Sequence, residues 1–518
     1  MNDRHIPQRR AFLHGAAALG LLGLSGCGGG SGVAEEDILA NADMGGMGRI
    51  TATPPVGVVG GGTLRLPASL SGNTLATASG SYNLGGGARS GALLYNGQWP
   101  SPLIRIFQGS PLDITLQNQL SEETNIHWHG LTAAPGMDGH PTERVAPGTS
   151  KRHTFAINER TGTYWYHPHP HGATARQAYY GLAGMLIIDD GNDAARGLPT
   201  GARDIPLVLA DKRISNGALV YQPTMMDHMT GWLGNVITVN GTSGPVTTTV
   251  EPAIIRLRLL NASNARILNP ALSDGRSFWL VATDGGLLSA PVAVSSVLLA
   301  PGERAEILLD LRTFAGRTVK LISVAFNSSG SGMMGGGMTG GGMMGGGMSG
   351  SGLAQGTAFD LLSLTVSSVA TSNPGSVPAS FDPVVRYAPE AAVANRLFQL
   401  TGMGGMTSGM YRINGLTYNP ARIDFVVRRG ELERWQFSNQ SMEPHPMHVH
   451  GTQFQVKSRN GNAAARMPTD LGWKDTVLVR PSETVEILLR FSVASNYVLH
   501  CHNLEHEDDG MMLNFSVV

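Results

Sequence analysis

The sequence predicts an all-β protein built from three related Greek-key β-sandwich domains. Three observations lead to this prediction. Charged residues make up 14% of the chain, against a usual ~25%, which is unfavourable for helical surfaces rich in Lys and Glu. Glycine is abundant, at 69 of 518 residues, as expected for short strands joined by tight turns. Two turn motifs also recur three times in the same order along the chain.

These turn motifs mark the three domains. The first is an Asn-Gly turn followed by a strand-like run, and the second is a Pro turn that leads into alternating apolar residues. The Asn-Gly turns start at Asn96, Asn240 and Asn414. The Pro turns are Ala146-Pro147-Gly148, Ala300-Pro301-Gly302 and Arg480-Pro481-Ser482. Turn-rich stretches separate the copies, so we expect domains over residues 51–195, 203–368 and 381–518.

The N-terminus has the features of an export signal. A twin-arginine pair that begins at Arg9 precedes an apolar run too short for a membrane-spanning helix of ~20 residues. We therefore expect residues 1–27 to direct export by the twin-arginine route to the periplasm or cell envelope. The segment Leu-Ser-Gly-Cys that ends at Cys27 resembles a lipobox, which makes Cys27 a candidate for lipid attachment and for the only membrane contact. An ordinary signal with an incidental cysteine is the alternative, and residues 28–50 are expected to form a flexible tether.

The charge and the cysteine content further limit the class of protein to which this chain can belong. The formal net charge is −1, with 37 basic and 38 acidic residues. Nucleic-acid-binding proteins concentrate basic residues in a patch or stripe, so we expect no nucleic-acid partner. We also expect the protein to be a monomer. The two cysteines, Cys27 and Cys501, allow one disulfide at most, whereas the chain is rich in His and Met, with 16 and 22 residues.

Four His-x-His pairs suggest a metal cluster. Residues i and i+2 of a strand point to the same face, so each pair can present two imidazoles to one point. One pair would be weak evidence, but four pairs among 16 histidines suit a cluster of several metal ions. The pairs are His127/His129, His167/His169, His448/His450 and His500/His502.

A second site is predicted on the opposite side of one of these strands. Cys501 lies between His500 and His502 and so faces away from both. His445 precedes His448 by an odd offset and can also face away from its pair, and His506 follows where the chain can turn. With Met511 as a weak axial ligand, His445, Cys501 and His506 form the His₂Cys set of a blue-copper site. A buried apolar cysteine and a zinc site are the alternatives, but zinc sites use four ligands around one ion.

Together these motifs resemble the multicopper oxidases, in particular laccases and bacterial copper-efflux (cuprous) oxidases. The resemblance covers residues 50–518 and depends on the signatures His-Trp-His-Gly, Trp-Tyr-His-Pro-His, His-Pro-Met-His-Val-His-Gly and His-Cys-His-x₃-His-x₄-Met. It implies three cupredoxin-like domains, four copper ions and coupling of four one-electron oxidations to the reduction of O₂ to two waters. The middle domain lacks the histidine pairs and looks like a metal-free spacer.

The resemblance also implies a role for each ligand. Type 1 copper would be held by His445, Cys501 and His506, with axial Met511. Type 2 copper would be held by His127 and His448. The two type 3 coppers would be held by His129, His167, His169, His450, His500 and His502. Cys501 would pass electrons along the chain to its two neighbours, and Asp138 and Glu507 match the family's acidic residues that supply protons, although either could be a surface carboxylate.

The distribution of methionines suggests that the substrate is Cu(I). Residues 330–350 alternate Gly runs with six Met, and thioethers are soft ligands that suit Cu(I). A plain Gly linker is the alternative. The copper-efflux oxidases carry their Met-rich insert in the third domain, whereas this one lies in the second. The candidate substrate-copper ligands are Met333, Met334, Met338, Met343, Met344, Met348, Met403, Met406, Met410, Met442 and Glu443.

We therefore expect an O₂-dependent oxidase that converts Cu(I) to Cu(II) in copper detoxification. A general laccase that oxidises phenols and aromatic amines is the alternative within the same class. A non-enzymatic copper-binding or cupredoxin scaffold is the alternative from another class, and the complete ligand set argues against it.

Overall fold

A computed structural model describes residues 61–84, 89–327, 353–402 and 411–518. The predicted signal, the tether and the Met-Gly tract lie outside these residues, and so do Cys27, Met403, Met406 and Met410. Within the described ranges, no helix is both long enough and apolar enough to cross a membrane.

The structure confirms the all-β prediction with three cupredoxin-like sandwiches. The first has two four-stranded sheets, ordered β3-β2-β5-β7 and β4-β9-β8-β6 in the strands given below. Apolar residues of both sheets, such as Leu112 from one and Trp128 from the other, form a single core. A short helix, α1 (Thr174–Tyr179), precedes the last strand. The strands of this sandwich are β2 (Thr74–Asn83), β3 (Arg89–Tyr95), β4 (Ile104–Phe107), β5 (Pro111–Asn118), β6 (His127–His129), β7 (Ser150–Ala156), β8 (Gly162–His167) and β9 (Gly184–Asp189). Strand β1 (Gly62–Thr63) precedes them in the chain but pairs with a strand of the second sandwich.

The second sandwich packs a seven-stranded sheet on a five-stranded sheet, ordered β14-β13-β10-β16-β20-β18-β19 and β1-β15-β22-β21-β17. Helix α2 (Met225–Thr230) follows the small hairpin β11-β12. The strands are β10 (Asp204–Lys212), β11 (Ile214–Ser215), β12 (Ala218–Leu219), β13 (Val236–Val239), β14 (Thr242–Ser243), β15 (Val246–Val250), β16 (Ile254–Asn261), β17 (Pro270–Leu272), β18 (Phe278–Thr283), β19 (Gly286–Val294), β20 (Arg304–Asp310), β21 (Thr318–Ser323) and β22 (Phe359–Val366).

The third sandwich has two five-stranded sheets, ordered β24-β23-β26-β30-β28 and β25-β32-β31-β27-β29. Its core includes Cys501 and Met511. Helix α3 (Leu504–Asp508) connects the last two strands, and 3₁₀ turns span Gly201–Arg203, Pro389–Ala391, Ala463–Ala465 and Pro468–Leu471. The strands are β23 (Ala394–Thr401), β24 (Arg412–Ile413), β25 (Phe425–Val427), β26 (Leu432–Asn439), β27 (His445–Val449), β28 (Phe454–Arg459), β29 (Thr476–Val479), β30 (Thr484–Arg490), β31 (Asn496–Cys501) and β32 (Met512–Val517).

The recurring Asn-Gly motif has one structure in all three sandwiches. Both residues of each pair have positive φ, between 47° and 74°, as a type I′ turn requires. Each asparagine Oδ1 also accepts a backbone N–H at 2.7 Å, from Ala76, Val208 and Gln399 in turn. The same short sequence therefore makes the same turn and the same tie to a neighbouring strand three times.

A third repeated residue escaped the sequence analysis. Each Pro turn is preceded by a carbonyl that accepts a hydrogen bond from a buried asparagine Nδ2, at 2.9 to 3.1 Å. The asparagines are Asn118, Asn261 and Asn439. Each asparagine Oδ1 accepts the backbone N–H two residues further on. These bonds fix where each Pro turn lies relative to the strand before it.

Candidate metal centres

The eight histidines of the four pairs meet in one cluster between strands of the first and third sandwiches. All eight side chains are at most 1% exposed. Pairing of β6 with β8 sets His127 opposite His167, and pairing of β27 with β31 sets His448 opposite His500. Strand periodicity turns both histidines of the first pair, His127 and His129, toward the cluster, as the sequence analysis predicted. In the other three pairs the second histidine lies just past the end of its strand and also reaches the cluster.

Hydrogen bonds at Nδ1 leave two Nε2 atoms facing each other. The Nδ1–H of His127 donates to the Asp138 carbonyl at 2.7 Å, and that of His448 donates to the Asp475 carbonyl at 2.8 Å. The free Nε2 atoms of these two histidines are 3.4 Å apart. A ring held at one nitrogen presents the other to a metal, so this pair fits one ion.

A second group is formed by His169, His450 and His500. The Nε2 of His500 lies 3.1 Å from the Nε2 of each of the other two. His450 donates from Nδ1 to the Asp138 carboxylate at 2.7 Å. Three converging Nε2 atoms, close to one another and buried, fit a second ion.

The remaining three histidines form a third group, His129, His167 and His502. The ring centroid of His502 is 5.0 Å from that of His129 and 5.3 Å from that of His167. Among the described residues, nothing hydrogen-bonds Nδ1 of His129, Nε2 of His167 or either nitrogen of His502. Buried polar atoms without partners are costly, and a metal ion would bind one free nitrogen of each of the three rings.

The protonation state of the cluster also suits a metal. Burial, reinforced for most of these rings by neighbouring imidazoles, lowers the pKa well below 6.5 for His127, His129, His169, His448, His450 and His502. Burial also lowers the pKa of His167, to about 3. Neutral imidazole is the form that binds metal, so the eight-histidine cluster fits the copper ions that the family resemblance implies.

The predicted His₂Cys site is assembled on the other face of β31. Cys501 pairs with Met447 across the sheet and points into the core of the third sandwich. Its Sγ lies 3.5 Å from Nδ1 of His445 and 3.7 Å from Nδ1 of His506. Burial raises the pKa of this thiol, so a metal ion would be needed to hold it as thiolate.

The far nitrogens of these two histidines are fixed by hydrogen bonds. The Nε2 of His445 lies 2.7 Å from Ser441 Oγ, and that of His506 lies 3.1 Å from the Met229 carbonyl. Met511 is fully buried, and its carbonyl accepts the N–H of Cys501 at 3.1 Å. Both Nδ1 atoms are therefore free to bind a metal beside Cys501 Sγ.

Both acidic residues expected near the cluster are there. Asp138 and Glu507 are each 1% exposed. The Glu507 carboxylate lies 3.1 Å from Nδ1 of His500 and 3.4 Å from Nδ1 of His169. Burial, and then the charge of Glu143, raises the pKa of Asp138 well above its usual value. Neither residue is a surface carboxylate.

The candidate substrate ligands that the structure describes lie near the His₂Cys site. Met442 is 86% exposed, and Glu443 is half-buried. Glu443 lines a cavity of about 330 Å³ together with Pro444 and Pro446, which flank His445. The methionines of residues 330–350, together with Met403, Met406 and Met410, lie outside the described residues.

Sequence reasoning missed the residues that orient the ligands. Asp475 accepts from Nε2 of His129 at 2.9 Å, Ser441 contacts His445, and Arg304 pairs with Asp475. No local motif marks these residues, because each lies far from its partner in sequence or belongs to an ordinary turn. Of the histidines that the structure describes, four stay outside the metal groups: His140, His153 and His228 hydrogen-bond other residues, and half-buried His171 packs against Tyr418.

Comparison with known proteins supports this geometry. Two sequence-family models described as multicopper oxidase match residues 76–193 and 391–518. The chain is 34% identical over 429 residues to the multicopper oxidase mco of Staphylococcus haemolyticus, covering 82% of this chain and 83% of that protein. It is also 35% identical over 401 residues to the cell division protein FtsP of Xenorhabdus nematophila, covering 76% and 77%.

A solved structure gives the same assignment. The laccase-like multicopper oxidase CueO of Ochrobactrum sp. superposes with a TM-score of 0.76 at 31% identity, covering 88% of this chain and 100% of that one. The buried histidine clusters fit the copper sites of such oxidases. The chain therefore belongs to the multicopper oxidase family, whose copper-dependent oxidases couple oxidation of a reductant to reduction of O₂.

Proposed function

We propose that this protein is a four-copper oxidase that oxidises Cu(I) to Cu(II), reduces O₂ to two waters and thereby protects against copper. The observation that carries the proposal is that two buried ligand groups share strand β31. Cys501 belongs to the His₂Cys group, while its neighbours His500 and His502 belong to the eight-histidine cluster. This shared strand provides a covalent path between a site that accepts electrons and a site that uses them.

The free ring nitrogens support a division into one, one and two coppers. His445, Cys501, His506 and Met511 would hold the type 1 ion, and the facing pair His127 and His448 would hold type 2. The two three-histidine groups would each hold one type 3 ion, namely His169, His450 and His500, and His129, His167 and His502. Bound copper would supply the one-electron redox chemistry.

Two acidic side chains, Asp138 and Glu507, would supply protons to the cluster. Water formation consumes protons inside a cluster whose histidines are all buried, and burial lowers the pKa of seven of them. Asp138 touches His450 and Glu507 lies beside His169 and His500, so each carboxyl can hold a proton at the edge of the cluster. A positioned acid of this kind is what general acid catalysis needs.

The surroundings of His445 support Cu(I) as substrate. Asn327, just before the Met-Gly tract, lines a cavity of about 400 Å³ that includes Pro444. Ala354 and Gln355, just after the tract, line the neighbouring cavity that also includes Pro444. Both described ends of the tract therefore line cavities that include Pro444, the residue just before the proposed type 1 ligand His445. Thioethers bind Cu(I), so the tract has the chemistry and the attachment points to deliver it.

Oxygen uptake on addition of Cu(I) tests the proposal. Replacing the six Met of residues 333–348 by Ser keeps the length of the tract and removes its thioethers. We expect a raised KM for Cu(I), with phenol oxidation and the type 1 spectrum unchanged. Unchanged Cu(I) kinetics would remove the capture role, and no oxygen uptake by copper-loaded protein with any reductant would contradict the oxidase itself.

Two other functions are supported by specific relatives. The Ochrobactrum enzyme is described as acting on lignin model compounds, which favours a laccase that oxidises phenols and aromatic amines. A higher kcat/KM for phenols than for Cu(I) would favour that function. The similarity to FtsP favours a non-enzymatic scaffold in cell division. The buried ligand set opposes it, since neutral unpaired imidazoles without metal are costly.

We also propose export by the twin-arginine route and lipid attachment at Cys27. This proposal depends on residues 1–27 of the sequence alone. Cys27→Ala should release the mature protein from the envelope membrane fraction into the periplasmic fraction. Identical fractionation of the variant and the wild type would contradict lipid attachment.

A further inference from the structure

Arg304 belongs to the second sandwich, yet it joins all three sandwiches beside the histidine cluster. It begins strand β20 and is fully buried. Its Nε donates to the carbonyl of Thr163 in the first sandwich at 3.0 Å. Its Nη1 and Nη2 donate to the carbonyls of Gly302 and Asp284, each at 2.9 Å. The remaining two N–H groups donate to the carboxylate of Asp475, at 2.6 and 2.5 Å.

All five guanidinium donors of Arg304 are therefore in use. Only Arg offers five donors in a planar fork, and a Lys ammonium, with three donors, would leave at least two of these five bonds unmade. Such complete use of a buried side chain fixes the Asp475 carboxylate in position and orientation.

The Asp475 carboxylate in turn fixes a metal-site histidine. Its Oδ1 accepts from Nε2 of His129 at 2.9 Å. This bond places the ring proton on Nε2 and leaves Nδ1 as the nitrogen available to a metal. The other cluster rings with a hydrogen-bonded Nδ1 present Nε2 instead. The ring orientation of His129 thus depends on a carboxylate that a residue of another sandwich holds.

The turn just before Arg304 contacts a second histidine of the same group. Gly302 has φ +83°, and a Cβ there would lie 3.0 to 3.1 Å from the ring of His502. The equivalent glycine of the first sandwich, Gly148, has φ +74° and nothing within 4 Å of a Cβ. The same recurring Pro turn is therefore packed on the cluster in the second sandwich and free in the first.

We propose that the turn Ala300–Arg304 of the second sandwich positions the metal site formed by His129, His167 and His502. The turn supplies no ligand. Arg304 acts through Asp475 on His129, and Gly302 leaves the space that the His502 ring occupies. The second sandwich is thus more than the metal-free spacer expected from the sequence. The inference rests on the proposed copper cluster and adds a role for residues outside it.

Three variants test it, each measured as copper per chain and as the near-ultraviolet absorption of the paired coppers relative to the blue absorption of the Cys501 site. Arg304→Lys and Asp475→Asn disturb the orientation of His129, and Gly302→Ala crowds His502. We expect about 10- to 100-fold weaker copper binding at this site, as for other residues that orient ligands, with the blue absorption unchanged. The near-ultraviolet to blue ratio should fall in all three.

Two matched controls separate positioning from stability. Arg459→Lys breaks another buried Arg–carboxylate network, with Asp470 and Glu483, in the third sandwich. Gly148→Ala introduces the same backbone strain as Gly302→Ala without a ring nearby. Both controls should keep the wild-type ratio, even where thermal unfolding of the metal-free protein shows a similar loss of stability.

The outcomes separate this inference from the proposed function. Suppose that the wild type binds its full complement of copper, and that Arg304→Lys and Asp475→Asn show the same near-ultraviolet to blue ratio as Arg459→Lys. That result would overturn this inference and leave the proposed function standing. Gly302→Ala behaving as Gly148→Ala would overturn the part that concerns His502. A wild-type protein that binds no copper would overturn the proposed function and this inference together.

Discussion

Ser441→Ala removes a single hydroxyl that holds His445, a proposed type 1 ligand, in place. Ser441 Oγ lies 2.7 Å from Nε2 of His445 and 2.8 Å from Asn439 Oδ1. The amide oxygen can only accept, so the hydroxyl donates to Asn439 and accepts from the Nε2–H of His445. A metal bound at Nδ1 of His445 forces the ring proton onto Nε2, where this hydroxyl receives it.

The expected size of the loss in copper affinity follows from the burial of His445 and Ser441. His445 is 0% exposed and Ser441 is 6% exposed, so water cannot readily replace the lost hydroxyl. An unsatisfied buried N–H costs about 1–3 kcal/mol. Without metal, His445 can move its proton to Nδ1 and avoid part of this cost, so the penalty falls on the metal-bound form. At about 1.4 kcal/mol per factor of ten, copper affinity should fall about 10- to 100-fold.

The assay is a competitive copper titration followed by the blue absorption of the Cys501 site. Ser441→Thr keeps a hydroxyl and should restore most of the affinity. Ser438→Ala is the control, because this half-buried hydroxyl on β26 contacts Thr484 and no proposed ligand. If Ser441→Ala binds copper as tightly as Ser438→Ala, the hydroxyl does not orient His445 and the reasoning is refuted.

Three further predictions concern other parts of the molecule. Cys501→Ser should abolish the blue absorption and lower the copper content by one ion, measured by elemental analysis; a retained blue band would contradict the type 1 assignment. Asp138→Asn should keep the copper content but slow oxygen uptake about 10²- to 10⁴-fold, and unchanged turnover would remove its proton role. Burial alone would raise the pKa of the Glu306 carboxyl. The positive charges of Arg256 and Arg258 have the larger effect and lower this pKa from 4.5 to about 2. Glu306 therefore adds stability above about pH 4.5 that is lost as pH falls toward 2, and Glu306→Gln should flatten unfolding free energy against pH across that window.

Local chemistry made much of the site predictable. The sequence correctly placed Cys501 and its neighbour His500 on opposite faces of β31, because alternation along a strand depends only on position. The Asn-Gly turns were recognisable because Asn and Gly adopt positive φ readily, and the Pro turns were recognisable because Pro fixes its own φ at a turn. The fold class followed from the same repeats.

What the sequence left open depended on distant contacts. It did not show which ring nitrogen faces a metal, how six histidines divide into two groups, or that Arg304 and Asp475 orient His129. The Oδ1 atom that decides the tautomer of His129 belongs to a residue 346 positions away.

The sequence by itself thus determined the ligand types, the face of each strand they occupy and the three-domain repeat, since these are set by side-chain chemistry and backbone period. Only the tertiary structure decided ring orientation and the part played by the second sandwich. The physical reason is that a hydrogen bond or ion pair between sandwiches exists only once their sheets are packed together, and no local pattern records which buried groups will then meet.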